Sequence, residues 1–158
     1  MPCMNSWTTP DRRVLLNLAE PVLAVFQKHI QAGPTDNEAG GLLLGTVHGN
    51  NIALAEATVP TVWDKRLRYF FERMPFGHRS IAAARWRASG GTMRYLGEWH
   101  THPQDFPSPS SLDRTEWTEL SRKRADGRPL LAIIVGRKDL YIELVPHVET
   151  GPVMVPIT

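Results

Sequence analysis

The chain carries the stretch Tyr95-Leu-Gly-Glu-Trp-His-Thr-His-Pro103 and, after six further residues, Ser110-Ser-Leu-Asp113. We predict a strand from Arg94 to His102, which Pro103 stops because proline cannot donate to a strand ladder. Residues two apart on a strand point to the same face, so His100 and His102 aim their imidazoles at a shared point. Two neutral imidazoles on one side are a typical start for a zinc site.

The loop that follows holds three prolines, which makes it stiff and non-helical. It leads to a helix predicted from about Ser111 to Arg124, whose first turn contains Asp113. A carboxylate there can reach back over the strand end and supply a third ligand beside the two histidines. Three protein ligands leave one tetrahedral position open, which is typical of catalytic zinc. Glu38 is the candidate general base, and Ser110 is the candidate donor to an oxyanion.

Each of these side chains also has an ordinary structural explanation. An isolated His-x-His pair can be surface or core histidine, and Ser110 with Asp113 fits the pattern of a helix capping box. Glu98 shares the predicted face of the two histidines, as a ligand, a partner for an imidazole or a solvated side chain. Asp105 in the loop is a further conceivable ligand, although a solvated side chain is its more ordinary explanation.

The rest of the sequence predicts an α/β (α+β) fold. Ala39–Val47 and Ile52–Val59 flank the turn signal His48-Gly-Asn-Asn51, and Leu130–Val135 pairs in the same way with Leu140–Val145. Consecutive hairpins favour a mixed, largely antiparallel β-sheet flanked by helices over a doubly wound parallel sheet. Further predicted segments are a helix with Pro21 in its first turn and Val22 to Ile30 on its face, a strand over Tyr69–Glu72 and a helix over about Arg79–Ser89.

The length of 158 residues fits a single domain, with residues 1–12 as a loose N-terminal arm and a core over about 14–145. A formal charge of +2 gives little support for nucleic-acid or membrane binding. Cys3 is the only cysteine, which excludes an internal disulfide and fits a reducing compartment. We find no signal peptide and no apolar run of about 18 residues, so a cytoplasmic location is expected.

The joint pattern resembles the JAB/MPN family of zinc metallopeptidases and isopeptidases. It consists of His100-Thr-His-Pro103, six residues, Ser110-Ser-Leu-Asp113 and, upstream, Asn37-Glu-Ala-Gly-Gly-Leu-Leu-Leu-Gly45. The resemblance implies a sheet core flanked by helices with one Zn²⁺ at the edge of the sheet. It also implies His100, His102 and Asp113 as ligands, Glu38 as the acid/base and Ser110 as oxyanion support.

The local form around Gly97–Pro103 and Pro107–Ser110 is similar to the small stand-alone JAB proteins of CBASS antiphage operons. That resemblance implies a deconjugating isopeptidase. Its substrate would be a cGAS-like nucleotidyltransferase that an E1/E2-like ligase has joined through its C-terminus to target lysines. The aromatic and basic segment Trp63–His78 would then either grip the substrate or pack in the core.

Three other functions fit the pattern less well. The same chemistry could process a ubiquitin-like or sulfur-carrier precursor. A module like the DNA-repair-associated branch of the family would use basic residues around the second long helix. A non-catalytic scaffold would lack bound zinc. The basic set for the DNA-binding alternative is His78, Arg79, Arg85, Arg87 and Arg94.

Overall fold

A computed structural model describes residues 4–61, 64–67, 70–72, 75–148 and 150–158. Within these residues the chain forms three helices and ten strands, and no helix there is long and apolar enough to cross a membrane. The helices are α1 (Glu20–His29), α2 (Pro75–Ala88) and α3 (Ser111–Arg122). The strands are β1 (Ser6–Thr8), β2 (Leu15–Leu18), β3 (Gly40–His48), β4 (Asn51–Ala57), β5 (Lys65–Leu67), β6 (Phe70–Glu72), β7 (Arg94–Thr101), β8 (Leu130–Val135), β9 (Leu140–Val145) and β10 (Val155–Pro156).

Eight strands form one mixed sheet in the order β10-β1-β2-β4-β3-β7-β8-β9, while β5 and β6 pair separately. Both predicted hairpins are confirmed, with β3 antiparallel to β4 and β8 antiparallel to β9. The β2–β4 and β7–β8 pairs are parallel. The α+β class with a mixed, largely antiparallel sheet is therefore confirmed, and β7 is an interior strand between β3 and β8.

A bulge in β7 adjusts which side chains face which side of the sheet. Leu43 pairs with Gly97 and Leu44 with Tyr95, so Leu96 is an extra residue in the ladder. A bulge lets one more residue fit in one strand than in its partner, which changes the alternation of side chains beyond it. Leu96 enters the larger core, whereas Tyr95 packs with the smaller core on the face that also carries Glu98.

The helices cover the two faces of the sheet. Helix α1 buries Val22 and Phe26, and the Phe26 ring lies 5.1 Å from that of Trp99. Helix α3 covers the opposite face, where Trp117 packs against Leu130, Ala132, Ile134 and Val145. Helix α2 contacts β3 and β7, and its residues share a groove with Leu42, whose register partner is Glu98. Because register partners share a face, α2 and α3 lie on the same side of the sheet.

The two ends of the described chain are more ordered than the sequence predicts. The expectation of a loose arm over residues 1–12 is wrong for β1, which pairs with β2 and β10 and buries Trp7. Residues beyond the expected core end at 145 are also ordered, because Val153 bridges to Glu143 and β10 completes the sheet. These short strands form through long-range pairing and leave no periodic signal in the local sequence.

Helix α2 begins earlier than the predicted Arg79, at Pro75, which suits a first helical turn because its missing N–H needs no partner there. His78 in this helix is fully buried, with Nδ1 2.5 Å from Thr58 Oγ1 and Nε2 2.7 Å from Asp64 Oδ2. His78 therefore cannot belong to an exposed basic surface. Of the segment Trp63–His78, residues 63, 68, 69, 73 and 74 lie outside the described residues, as do the side chains of residues 70–72, 75 and 76, so the choice between gripping substrate and packing in the core stays a prediction.

Candidate metal centre

The two histidines lie at the carboxyl end of β7 and converge as the strand alternation predicts. Their Nε2 atoms are 3.1 Å apart, and their ring centroids are separated by 4.8 Å. Thr101 between them points to the other side, where it is fully buried and its hydroxyl donates to Gln31. The sequence predicts a metal site at the edge of the sheet. The two histidines do lie where a strand ends, but β7 is an interior strand with neighbours on both sides.

Asp113 completes the cluster from the first turn of α3. Its Oδ1 lies 3.1 Å from His100 Nε2, and its Oδ2 lies 3.3 Å from His102 Nε2. Burial alone would raise the pKa of Asp113, but hydrogen bonds with the two histidines outweigh it and hold this pKa well below its usual range. Burial would lower the pKa of His102, but the neighbouring carboxylate outweighs that effect and raises it.

The three side chains fit a zinc ion in both donor type and spacing. One ligand atom from each lies within 4.8 Å of the others, and the residues are largely buried. Tetrahedral ligands at the usual zinc distances are separated by about 3.3 Å. The observed separations of 3.1, 3.1 and 3.3 Å are close to that value. Two imidazoles and one carboxylate form a donor set that leaves a coordination position open for substrate or solvent.

Ser110 and Asp113 also form the capping box that the sequence offered as an alternative. Ser110 Oγ accepts a hydrogen bond from the Asp113 N–H at 3.1 Å, and Asp113 Oδ2 accepts one from the Ser110 N–H at 2.7 Å. The capping bond uses a lone pair of the hydroxyl and leaves its proton available for another acceptor. Capping and a role in the site are therefore compatible for both residues.

Glu38 is fixed beside the histidines through its backbone. Its N–H donates to the Leu67 carbonyl at 2.7 Å, and its carbonyl accepts from Arg66 Nε at 2.9 Å. The next residue, Ala39, makes two hydrogen bonds with Thr101. The Ala39 N–H donates to the Thr101 hydroxyl, and the Ala39 carbonyl accepts from the Thr101 N–H. Glu38 is 6% exposed. Burial raises its pKa to about 7, with the charges of Asp113 and Glu116 adding and that of His102 opposing.

Gln104 is a functional neighbour that the sequence reasoning missed. Its Oε1 lies 3.1 Å from His102 Nδ1, so a proton on that nitrogen leaves Nε2 with its lone pair towards the cluster. Its position two residues beyond His102, in a loop without periodicity, gives no signal by itself. Glu116 is the other missed residue, and it lies on α3 along the wall of the same cavity.

The two remaining sequence candidates take other positions. Glu98 faces the same cavity as the histidines and accepts a hydrogen bond from the Tyr95 hydroxyl at 3.1 Å. It does not belong to the cluster of three candidate ligands. Asp105 pairs with two cations, because Arg137 and Lys138 each contact it at 2.9 Å. Asp105 does not belong to the cluster of three candidate ligands.

The cluster lies at the base of a cavity of about 360 Å³ between β7, α3 and the proline-containing loop. Trp117 lines one side, with its ring centroid 6.2 Å from that of His100. The cavity brings the buried carboxyl of Glu38, whose pKa is raised to about 7, together with three candidate metal ligands and a hydroxyl. This arrangement can activate water against a carbonyl group that enters the cavity. All five site residues proposed from the sequence line it, namely Glu38, His100, His102, Ser110 and Asp113.

A family model described as prokaryotic homologs of the JAB domain matches residues 19–145 of the chain. This range contains every residue of the metal centre described above.

Several curated proteins are similar over most of their length. One from Pseudomonas aeruginosa (strain BWHPSA011 / Pa011) is 60% identical over 157 residues, which cover 99% of this chain and 99% of that protein. One from Escherichia coli (strain TW11681) is 37% identical and covers 84% and 81%. One from Vibrio cholerae serotype O1 is 37% identical and covers 66% and 65%. All three are named CD-NTase/cGAS isopeptidase.

Among solved structures, the solution structure of a protein from Desulfitobacterium hafniense has a similar fold. It matches with a TM-score of 0.59 and 21% identity, over 87% of this chain and 88% of that protein. At this identity the likeness concerns the fold alone.

Proposed function

Because the chain belongs to the family of prokaryotic homologs of the JAB domain, we propose that it is a zinc-dependent isopeptidase. The bond it cleaves joins the C-terminus of a conjugated protein to the ε-amine of a target lysine. The observation that carries the proposal is the convergence of His100, His102 and Asp113 beside the buried carboxyl of Glu38. The names of the similar proteins from three organisms support the reaction type.

The proposed substrate is a cGAS-like nucleotidyltransferase of the CD-NTase class, conjugated through its C-terminal tail. The relative that is 60% identical over 99% of both chains carries that substrate in its name. We place the reaction in the cytoplasm, where an E1/E2-like ligase makes the conjugates and this protein removes them during antiviral (CBASS) defence. Release of the nucleotidyltransferase would return it to the unconjugated pool.

His100, His102 and Asp113 would hold the zinc ion. When bound, the ion supplies Lewis-acid polarisation of the scissile carbonyl and makes water more acidic. The Gln104 side chain keeps the His102 ring in the orientation in which Nε2 faces the cluster. The capping bonds of Ser110 hold the Asp113 carboxylate over the strand end.

Glu38 moves the protons of the reaction. Its carboxylate accepts a proton from the attacking water and then delivers that proton to the departing lysine amine. The buried position of this carboxyl, which raises its pKa in the metal-free chain, suits a group that must both gain and lose a proton. The Ser110 hydroxyl can donate to the oxyanion that develops on the attacked carbonyl, because its proton is not used by the capping bond.

The small hairpin β5–β6 is where the tail can add as a strand. An extended peptide binds by strand addition only where a strand has an unpaired edge. In the large sheet as described, β3 and β7 beside the site are each paired on both sides. The β5–β6 hairpin is separate from that sheet and is bonded to Glu38 through the Leu67 carbonyl. A tail added along it would reach the cavity directly.

The test uses a purified conjugate in which a CD-NTase tail is linked to a lysine of a reporter protein. The zinc-loaded wild type should release the reporter, while Glu38→Gln should bind zinc normally and cleave at least a hundredfold more slowly, the order expected for a lost general base. Glu119→Gln, an exposed glutamate on α3, is the matched control and should retain full activity. Wild-type cleavage by Glu38→Gln, or cleavage that survives removal of metal, would refute the mechanism.

A second substrate distinguishes deconjugation from the alternative function, the processing of a precursor protein. In it, the same tail continues through an ordinary α-peptide bond into a short extension. Preference for the isopeptide over this linear fusion supports deconjugation, and the reverse preference supports a processing peptidase.

A further inference from the structure

A second groove continues from the metal cavity along the same face of the sheet. It has a volume of about 680 Å³ and lies between α2 and α3, over β3 and β7. Leu120 of α3 lines both the cavity and the groove, so the two spaces are neighbours. The mechanism described above makes no use of this groove.

The floor of the groove leads along β7 towards the metal ligands. Leu42 lies opposite Glu98 in the register, and Tyr95 donates its hydroxyl proton to Glu98 at the boundary between the two spaces. From Tyr95 to His100 the strand advances five residues, or about 16 Å at the usual rise of a strand. An extended peptide of about five residues would therefore reach from the scissile bond to the middle of the groove.

The walls of the groove are apolar. Ala82 and Trp86 line it from α2 and Leu120 lines it from α3. Trp86 is 51% exposed. An exposed tryptophan beside a groove is a common anchor for a peptide side chain, because its large rigid surface binds at little entropic cost.

Basic side chains line the groove, whereas the metal cavity is acidic. Arg79, Arg94, Lys123 and Arg124 line the groove together with one carboxylate, Asp126. Arg124 is used within the fold, where it donates to the carbonyls of Tyr95 and Leu96 and to Asp126. The Arg94 Nε is buried without a hydrogen-bond partner among the described residues, and its Nη1 is 3.8 Å from Asp126. Glu98 and Glu116 line the metal end.

We propose that this groove binds the part of the tail that precedes the residues paired with the β5–β6 hairpin, and that it selects an acidic side chain about five residues before the scissile carbonyl. The inference rests on the proposed function. The acidic side chain would approach the basic residues that line the groove, among them Arg79, Arg94 and Lys123, and a neighbouring apolar side chain would pack on Trp86. The tail is the occupant because it is common to all conjugates of one protein, whereas the sequences around target lysines differ.

Binding is measured first, so that the result does not depend on cleavage. Fluorescein-labelled peptides of about eight residues with a free C-terminal carboxylate are titrated with the zinc-loaded Glu38→Gln protein. Every peptide contains one Leu and, next to it, one test residue, which is Glu, Gln or Lys. Across the series this pair is moved one position at a time away from the C-terminus. The peptide with Glu at about the fifth position should bind about fivefold more tightly than that with Lys.

Charge reversal in the groove should remove this preference. Arg79 and Lys123 are exposed, so the double variant Arg79→Glu, Lys123→Glu should fold normally. It should bind the Glu peptide more weakly and the Lys peptide more tightly, and Trp86→Ala should weaken both. The matched control is Arg13→Glu, Lys28→Glu, which makes the same change of charge on exposed residues outside the groove and should bind like the parent.

The corresponding isopeptide substrates then separate the two proposals. With tails of eight residues, the kcat/KM of the wild type should follow the order of the binding affinities. Tails of three residues do not reach the groove, so the wild type and the double variant should cleave them equally. Equal binding of the Glu and Lys peptides at every position overturns the groove assignment. Failure of the double variant to cleave the substrate with a three-residue tail overturns it as well. Charge-dependent binding without cleavage of any substrate upholds the groove and refutes the isopeptidase.

Discussion

Arg114 directs one guanidinium nitrogen, Nη1, at both carboxylate oxygens of Glu143, at 2.7 and 2.6 Å. Glu143 lies in β9 with a fully buried side chain, which also accepts from the Tyr141 hydroxyl and the Gly151 N–H. Arg114 directly follows Asp113 in the chain. The ion pair therefore connects the turn that carries Asp113, a proposed metal ligand, to the outermost strand on that side of the sheet.

This pair predicts an unequal cost for its two partners. Arg114→Met should lower the free energy of unfolding by about 3–5 kcal/mol, because it leaves a buried carboxylate without a counter-charge. Glu143→Gln should cost about 1–3 kcal/mol, since the Arg114 side chain is 36% exposed and can turn to water. Urea denaturation in the presence of a chelator measures both. Arg122→Met, at the exposed end of α3, is the control, and equal costs for the two partners would contradict this account.

Ser110 has two separable roles according to its hydrogen bonds. Ser110→Ala should lower stability by about 1 kcal/mol through loss of the helix cap and should lower kcat about a hundredfold through loss of the oxyanion donor. Ser110→Thr should restore both. Ser110→Asp accepts the capping bond but carries no proton at neutral pH, so it should restore stability and not kcat. Thermal unfolding and steady-state kinetics give the two quantities, and full activity of Ser110→Ala would restrict Ser110 to capping.

Gln104 should influence the metal without touching it. Gln104→Leu removes the acceptor opposite His102 Nδ1, and loss of such an outer partner usually weakens metal binding by about 10–100-fold. Competition for zinc against a chromophoric chelator measures this change. Asp105→Asn, in the same loop but paired with Arg137 and Lys138, should leave zinc affinity unchanged. Equal zinc affinities of Gln104→Leu and the wild type would show that the loop backbone, and not the Gln104 side chain, orients the His102 ring.

Glu38 should give the metal-free protein a distinctive dependence on pH. Its pKa is about 7 in the folded chain and near 4.5 in the unfolded chain, so the folded state binds the proton more tightly. Stability should therefore fall as the pH rises from about 4.5 to 7. Calorimetry with a chelator should show a steeper loss of Tm over this range for the wild type than for Glu38→Gln. Parallel curves for the two proteins would contradict the raised pKa.

Local patterns predicted the elements whose signals are local. Alternation placed His100 and His102 on one face, and the Gly49 turn with its φ of 64° joins β3 to β4 as the sequence signal indicates. The capping box at Ser110 and Asp113 is also visible in four consecutive residues. These features depend on neighbours within a few positions, which is why a single sequence was sufficient.

Long-range contacts account for what the sequence could not predict. The pairing of β1 with β10 joins residues almost a whole chain apart, and neither strand has enough residues for a periodic pattern. The bulge at Leu96 depends on the register with β3 rather than on its own neighbours. Gln104 and Glu116 enter the site because of how a loop and a helix are directed in space, and their residue types alone are unremarkable for such positions.

The backbone attachment of Glu38 to β5 has a consequence for inhibition. The N–H and carbonyl of Glu38 are bonded to Leu67 and Arg66, and Leu67 itself is 63% exposed. A small molecule that separated β5 from this backbone would displace the carboxyl from the cavity while leaving the three metal ligands intact. Such a compound would need no chelating group, and so it could avoid the poor selectivity of inhibitors that act by capturing zinc.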